Sequence, residues 1–132
     1  MLLFLTRGIL LRRRRLLGRW GERYALRHLK GKGYIPLALN FSAAASEIDI
    51  IVRHKDGTFV FVEVKTRGIK EFVPAANAVT RKKQYHIARA ARGFIRKFDL
   101  HEQPIRFDII TILLPRKGKP ILTHHENAFY PY

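Results

Sequence analysis

The sequence predicts an α/β protein in which helices cover a mixed β-sheet. Three observations predict this class: two long segments with helical periodicity, a β-hairpin pattern between them, and a further apolar strand pattern after the second helix. The resulting order is α-β-β-β-α-β-β, which is typical of a layered α/β fold. With 132 residues, of which 47% are hydrophobic, the chain can bury the core of one domain.

The first helix is predicted over about residues 19–31, where aromatic and aliphatic residues recur at spacings of three and four. Gly31 and Gly33 end this pattern. The next segment, YIPLALNF (34–41), alternates weakly and contains Pro36. Because proline cannot donate a backbone hydrogen bond to a neighbouring strand, we expect an edge strand there.

The remaining elements follow from composition and periodicity. SAAAS (42–46) is typical of a loop, and EIDIIVRH with TFVFVEVKTR, joined by KDG, is the clearest hairpin pattern. A long helix with many basic residues is predicted over about 77–97. It is followed by a buried strand (104–115), a turn at KGKP and the short strand ILTHH.

The loop length of the hairpin decides which side chains meet, because a slip of one residue exchanges the faces of a strand. A three-residue loop with Gly57 in the left-handed conformation sets Asp49 opposite Glu63 and Glu47 opposite Lys65. A two-residue turn would separate the first two onto opposite faces. We favour the three-residue loop because it alone gathers the polar residues. It also predicts a plain core face, formed by Ile48, Ile50, Val52, Val60, Val62 and Val64.

Two carboxylates opposite each other, about 5 Å apart at Cβ, repel and need a compensating cation or a shared proton. Mg²⁺ supplies this, since it binds one or two carboxylates together with phosphate oxygens and water. Lys65 lies two residues from Glu63 on the same face, where its ammonium group could orient a nucleophile. The alternative is that Glu63 and Lys65 are ordinary solvent-facing residues.

The charge of the chain favours a polyanionic partner. Lys and Arg number 26 against 10 Asp and Glu, which gives a formal net charge of +16. Nucleic acid is the first candidate and an anionic membrane surface the second. The absence of cysteine excludes a disulfide framework, a thiolate zinc site and a cysteine nucleophile, and it is consistent with a cytoplasmic protein.

Residues 1–17 form a basic N-terminal extension, and a single domain is expected over 18–132. The apolar run precedes the arginines at 12–15 instead of following them, unlike a secretory signal, and it is too short to cross a bilayer. The extension is therefore expected to be frayed or helical, with its arginines in solvent, and an arm that contacts phosphate or a membrane-surface segment are the alternatives. We expect no membrane contact for the protein as a whole.

Several motifs in order resemble the YraN-like family of bacterial proteins. They are GRWGERYA (18–25), a Gly-Tyr step at 33 and 34, SEIDIIV (46–52), FVFVEVKTR (59–67), AVTRKKQYHIARAA (78–91), RFDIITI (106–112) and NAF (127–129). That family is placed by similarity in the PD-(D/E)XK nuclease superfamily, near archaeal Holliday-junction resolvases. The resemblance implies a restriction-endonuclease-like fold, and a homodimer because resolvases act as dimers.

The resemblance also implies roles for particular residues. Asp49 and Glu63 look like the two metal-binding acids, Lys65 like the catalytic lysine, and Val64 like the residue whose carbonyl binds the metal. Glu22 resembles the additional acid of resolvase-type members, or it is a surface residue of the first helical turn. Ser46 stands where the family commonly has glycine, which affects the expected loop before Asp49.

Basic residues around the long helix are expected to bind phosphates without reading sequence. They are Arg67, Arg81, Lys82, Lys83, Arg89, Arg92 and Arg96, with Gln84 as a further polar candidate; for Lys83 and Gln84 a solvated helix face is an equal alternative. Asp108 is expected to be a structural partner for an arginine, and the adjacent His124 and His125 to project to opposite faces.

The sequence thus predicts a Mg²⁺-dependent endonuclease, with Mn²⁺ as a substitute metal, that hydrolyses phosphodiester bonds in branched or structured DNA. The alternative is a DNA- or RNA-binding protein without catalysis that retains the same fold.

Overall fold

Five β-strands form one mixed sheet in the computed structural model, which describes residues 2–71, 74 and 78–131, with the side chains of residues 2–6 left aside. The strands lie in the order β1-β2-β3-β4-β5, and only β3 and β4 are parallel. They are β1 (Ile35–Ala43), β2 (Ser46–Arg53), β3 (Phe59–Gly68), β4 (Ile105–Leu114) and β5 (Ile121–His125).

The helices are α1 (Leu2–Arg12), α2 (Arg14–Gly31) and α3 (Arg81–Lys97), with a short 3₁₀ helix at Ile69–Glu71. The predicted mixed α/β arrangement is confirmed, and from α2 onward the helices and strands follow the predicted order. Helix α2 begins five residues before the predicted start at 19, and α1 precedes it within the N-terminal extension. Each helix in the described part of the chain is too short or too polar to span a bilayer.

Helix α3 provides the long crossover that a parallel pair of strands requires. It begins at Arg81, because the Thr80 side chain accepts a hydrogen bond from the Lys83 backbone N–H at 3.1 Å and so caps the helix. The predicted start at residue 77 lies outside the described residues.

Both faces of the sheet are buried at the central strands β2 to β4, whereas the edge strand β1 is largely exposed. Helix α3 covers one face, where Ile51, Phe61 and Phe107 pack against Phe94. Helix α2 covers the other face with a second apolar cluster, which includes Ala25, Leu29, Ile50, Val52, Val60, Val62, Val64, Ile110 and Ile112. Sheets that are buried on both faces are rich in β-branched residues, as β2 to β4 are here.

The hairpin between β2 and β3 has the predicted three-residue loop. Ile50 pairs with Val62 and Arg53 with Phe59, and the His54 backbone N–H donates to the Thr58 carbonyl at 2.8 Å. Gly57 has φ 96°, the left-handed conformation that this loop needs. The register that gathers the polar residues is therefore confirmed.

Two local expectations were wrong. The expected loop at 42–46 is only a two-residue turn, Ala44-Ala45, because β1 continues to Ala43 and β2 starts at Ser46. Ile48 does not share a face with Ile50 but packs with Ile51 on the α3 side. The register of β1 and β2 sets Asp49 opposite Asn40, which has φ 49°, and this left-handed residue coincides with the break in alternation.

Candidate functional site

Asp49 lies where β2 separates from β3. Their backbone pairing extends only to Ile50 and Val62, and continuing the register by one residue sets Asp49 opposite Glu63. Asp49 Oδ2 accepts a hydrogen bond from the Val64 backbone N–H at 2.8 Å. The Asp49 carboxylate thereby accepts the hydrogen bond that a backbone carbonyl of β2 would accept if the pairing continued. This hydrogen bond holds the side chain beside Glu63.

Glu63 is 3% exposed and its two oxygens have different surroundings. Oε2 lies 3.4 Å from Lys65 Nζ and 3.7 Å from Lys83 Nζ, whereas Oε1 is buried without a hydrogen-bond partner among the described residues. Leaving a buried carboxylate oxygen unpaired is costly, so such an atom requires an explanation. A bound cation would satisfy it, and so would a proton shared with Asp49.

The electrostatics of Asp49 also fit a cation. Burial raises the pKa of Asp49 well above its usual range, and the nearby charge of Glu63 raises it further, against the opposing effects of the Val64 N–H and Lys83. The pair therefore retains a proton unless another positive charge arrives. Hard divalent cations prefer such oxygen ligands, so these residues fit Mg²⁺ or Mn²⁺.

Glu22 reaches the neighbourhood of this pair from α2. Its Oε1 accepts a hydrogen bond from Asn40 Nδ2 at 2.7 Å. Burial raises the pKa of Glu22 to about 7, with further contributions from the charges of Asp49 and Glu47. Glu22 thus lies in an acidic region, although no group of three or more His, Asp or Glu side chains within the described ranges is arranged to hold one metal ion.

Glu47 is exposed and does not pair with Lys65, which lies against Glu63 instead. An ion held by Asp49 and Glu63 would therefore need the Val64 carbonyl and water or phosphate oxygens to complete its coordination. This donor set is the kind that Mg²⁺ accepts, because Mg²⁺ keeps several waters.

The predicted phosphate-binding residues do not share one environment. Lys83 joins the carboxylates, whereas Arg81 and Lys82 are exposed and outside that cluster. Arg67 donates to the Thr66 carbonyl at 2.8 Å, and Gln84 donates its amide to the Val79 carbonyl at 3.2 Å. Gln84 therefore supports the backbone before α3.

Arg89 lies over the ring of Tyr85, with 6.0 Å between the guanidinium carbon and the ring centroid. Asn40 was not anticipated as part of the site. Its only sequence signal is that asparagine tolerates the left-handed conformation better than most residues, and one asparagine in a strand pattern does not predict that conformation.

Asp108 is a structural acid, as expected. Arg106 donates to both of its oxygens at 2.8 Å, and the Asn127 backbone N–H donates to Oδ1 at 2.9 Å. His124 Nε2 lies 2.7 Å from Oδ2. Burial alone would raise the pKa of Asp108, but these hydrogen bonds outweigh it and hold the pKa below its usual range. The saturated carboxylate has no capacity left for a metal.

The two adjacent histidines contact different groups, which agrees with their expected projection to opposite faces. His125 Nε2 lies 3.4 Å from Thr111 Oγ1, on the other side of the strand from Asp108. A metal shared by this pair is therefore not supported.

Comparison with known proteins identifies relatives for most of the chain. Residues 21–112 match the model of the uncharacterised protein family UPF0102. A UPF0102 protein of Trichlorobacter lovleyi is 39% identical over 112 residues, covering 85% of this chain and 88% of the relative. Those of Geotalea uraniireducens and Roseiflexus castenholzii are 41% and 39% identical over 114 residues, covering 86% of this chain and 88% and 91% of the relatives. The resemblance to the YraN-like family is thus confirmed, and the chain belongs to family UPF0102.

Proposed function

We propose that this protein is a metal-dependent endonuclease of the PD-(D/E)XK superfamily, with a restriction-endonuclease-like fold, that acts on branched or structured DNA. One observation carries the proposal. Asp49 and Glu63 lie together beside Lys65 and Lys83, and Glu63 Oε1 has no partner among the described residues.

In this mechanism Asp49, Glu63 and the Val64 carbonyl would hold Mg²⁺ or Mn²⁺. When bound, the ion supplies positive charge to the scissile phosphate and lowers the pKa of a bound water. Lys65, with its Nζ 3.4 Å from Glu63 Oε2, orients the attacking water and stabilises charge that develops on the phosphate. Lys83 adds a second ammonium group from the facing helix. Glu22 tunes the site through its charge or holds a second ion.

The proposed substrate is DNA because the net charge of +16 favours a polyanion. Exposed basic residues of α3 would bind the phosphates without reading sequence. A homodimer and the preference for branched DNA come from the resemblance to resolvases. A second candidate, a nucleic-acid-binding protein without catalysis, is favoured by the same charge and needs no metal.

The test compares wild-type protein with Glu63→Gln, Lys65→Ala and the control Lys55→Ala, which removes an exposed lysine in the hairpin loop. Each is incubated with four-way junction, flap, single-stranded and linear DNA in Mg²⁺, Mn²⁺ or EDTA. We expect cleavage only with metal, a loss of about 100-fold or more in both site variants, and no loss in Lys55→Ala.

Cleavage that survives both site substitutions would identify a contaminating nuclease and contradict the proposal. DNA binding without cleavage in any metal by the wild-type protein would favour the non-catalytic alternative.

A further inference from the structure

A surface cleft of about 380 Å³ lies between α3 and the β1–β2 turn. It is lined by Ala43, Ala44, Arg89, Arg92, Gly93 and Arg96. The turn can lie this close to the helix because position 93 is glycine: a Cβ there would lie 2.6 Å from the Ala43 Cβ. Small residues therefore form the walls, and arginines provide the polar groups.

The three arginines lack acidic partners. No carboxylate in the described part of the chain lies within ion-pairing distance of Arg89, Arg92 or Arg96. Their spacing of three and four residues sets them on one side of α3, where Arg92 and Arg96 are exposed. Three guanidinium groups around one concave surface repel one another unless an anion lies between them.

This cleft is separate from the carboxylate site. Lys83 points its ammonium group at Glu63, whereas Arg92 and Arg96 follow nine and thirteen residues later. At the rise of an α-helix they lie about 13 and 20 Å further along the axis. At about 100° per residue they also lie on nearly the opposite side of the helix from Lys83.

The dimensions and chemistry of the cleft fit a nucleic-acid backbone. Arg89 and Arg96 are about 10 Å apart along the helix axis, roughly three phosphate-to-phosphate steps of about 3.4 Å along one strand. Guanidinium groups bind phosphate in a two-pronged manner. Apart from the arginines, the cleft is lined by Ala43, Ala44 and Gly93, so it lacks the bulky apolar groups with which helices enter membranes.

We propose that this arginine cleft is a second nucleic-acid contact, which binds the sugar-phosphate backbone away from the carboxylate pair and independently of sequence. This inference depends on the proposed function only in taking nucleic acid as the partner. The contact extends the binding surface along α3, so that the nucleic acid is held at two places.

The test measures binding of a fluorescent duplex of about 30 base pairs by anisotropy, in EDTA, over a salt series. The variant is Arg92→Gln with Arg96→Gln. Its matched control is Lys117→Gln with Lys119→Gln, which removes the same charge from exposed positions between β4 and β5. We expect the arginine pair to weaken binding at least 10-fold and to reduce the slope of log affinity against log salt by about 2, with a much smaller effect in the control.

Ala44→Asp provides an independent variant, because it adds a carboxylate to the cleft without removing an arginine, and it should also weaken binding. Equal losses in the arginine and lysine pairs would assign the effect to net charge and overturn the proposal, as would a wild-type protein that does not bind DNA. Arginine-dependent binding to phosphatidylglycerol vesicles with unchanged DNA binding would overturn it in favour of a membrane contact.

The two proposals fail in different ways. Absence of cleavage, with arginine-dependent binding in EDTA, would refute the nuclease and leave the cleft intact. Metal-dependent cleavage by a protein whose DNA affinity does not respond to Arg92 and Arg96 would refute the cleft alone.

Discussion

Two buried acids, Asp108 and Glu63, have different roles that follow from their hydrogen-bond partners. Asp108 accepts hydrogen bonds from Arg106 and from a backbone N–H, and His124 lies against it. Glu63 has lysines at one oxygen and no partner at the other among the described residues. The first arrangement stabilises the fold by itself, whereas the second requires a bound cation or a retained proton.

Asp49→Asn should stabilise the metal-free protein at high pH. Because burial and Glu63 raise the pKa of Asp49, the folded state binds more protons than the unfolded chain above the ordinary pKa of about 3.9. The free energy of unfolding therefore falls as the pH rises from about 3.9 toward the pKa of Asp49 in the folded state. We expect the substitution to raise the free energy of unfolding by about 1–3 kcal/mol at pH 8, and by much less at pH 4.

Urea unfolding in EDTA at both pH values measures this effect. Asp56→Asn is the control, and it should lower the free energy of unfolding at pH 8 instead of raising it. The reason is that hydrogen bonds from Thr58 lower the pKa of the exposed Asp56 to about 2. An Asp49→Asn protein that is less stable than wild type at pH 8 would contradict the electrostatic argument.

Asp108→Asn should destabilise the protein by about 3 kcal/mol, because it leaves the largely buried Arg106 with only the exposed Glu126, 3.4 Å from its Nη2, as an anionic partner. The pKa of Asp108 is lowered in the folded state, so this contribution is present above the ordinary pKa and is lost as pH falls through the folded value. Urea midpoints at pH 7 for Asp108→Asn, Arg106→Gln and the double variant measure the coupling. Additive effects of the two single substitutions would show that the two side chains have no interaction energy with each other.

Sequence reasoning reached the carboxylate pair because the loop length fixes a register and a register fixes the faces. The sequence did not predict that Asn40 belongs to the site or that Ile48 points to the α3 side of the sheet. A single left-handed residue changes which side chains point to each face without changing the hydrophobic pattern. The pairing of Lys83 with Glu63 depends on how α3 crosses the sheet, which periodicity along one helix does not specify.

At the scale of elements, the β1–β2 turn combines an ordinary geometry with unusual residues. Ala44 and Ala45 have φ 53° and 60°, values that a two-residue hairpin turn requires but that alanine disfavours. The sequence pattern predicts a longer loop here because it contains none of the asparagine or glycine that marks such a turn. The small side chains have a use in the arginine cleft, whose wall includes Ala44.

Ala44→Asn with Ala45→Gly should therefore stabilise the protein, by about 1–2 kcal/mol, because both new residues adopt the left-handed conformation at lower cost. The midpoint of thermal unfolding measures the gain. Ala43→Gly is the comparison, since residue 43 ends a strand without a positive φ and glycine there should destabilise. A double variant that unfolds at the same temperature as wild type would show that the turn stores no strain.

The whole molecule was more predictable than its parts. The order of helices and strands follows from periodicities of 3.6 and 2 residues, because these periodicities show which faces are buried. The helical crossover between β3 and β4 then makes that pair parallel. The start of α2 at Arg14 was not predicted, because four successive arginines indicate solvent and carry no apolar period. The two helices that meet there are fixed by tertiary contacts: Leu10 and Leu17 pack with Leu114 of β4.

Helix α1 precedes the segment that matches family UPF0102, which begins at residue 21, yet it covers part of the sheet. Arg7 donates hydrogen bonds to the Pro115 and Gly118 carbonyls at 3.2 and 2.8 Å, and Leu10 is 8% exposed beside Leu114, which is 2% exposed.

Deleting residues 2–12 should uncover Leu17 and Leu114 and lower the free energy of unfolding by about 2–4 kcal/mol. Urea unfolding measures this loss, and Leu10→Ala, which removes one apolar contact but keeps α1, should reproduce only part of it. Because α2 and the carboxylate pair do not contain the deleted residues, the shortened chain should still fold; an unchanged urea midpoint would show that α1 contributes nothing to the stability of the sheet.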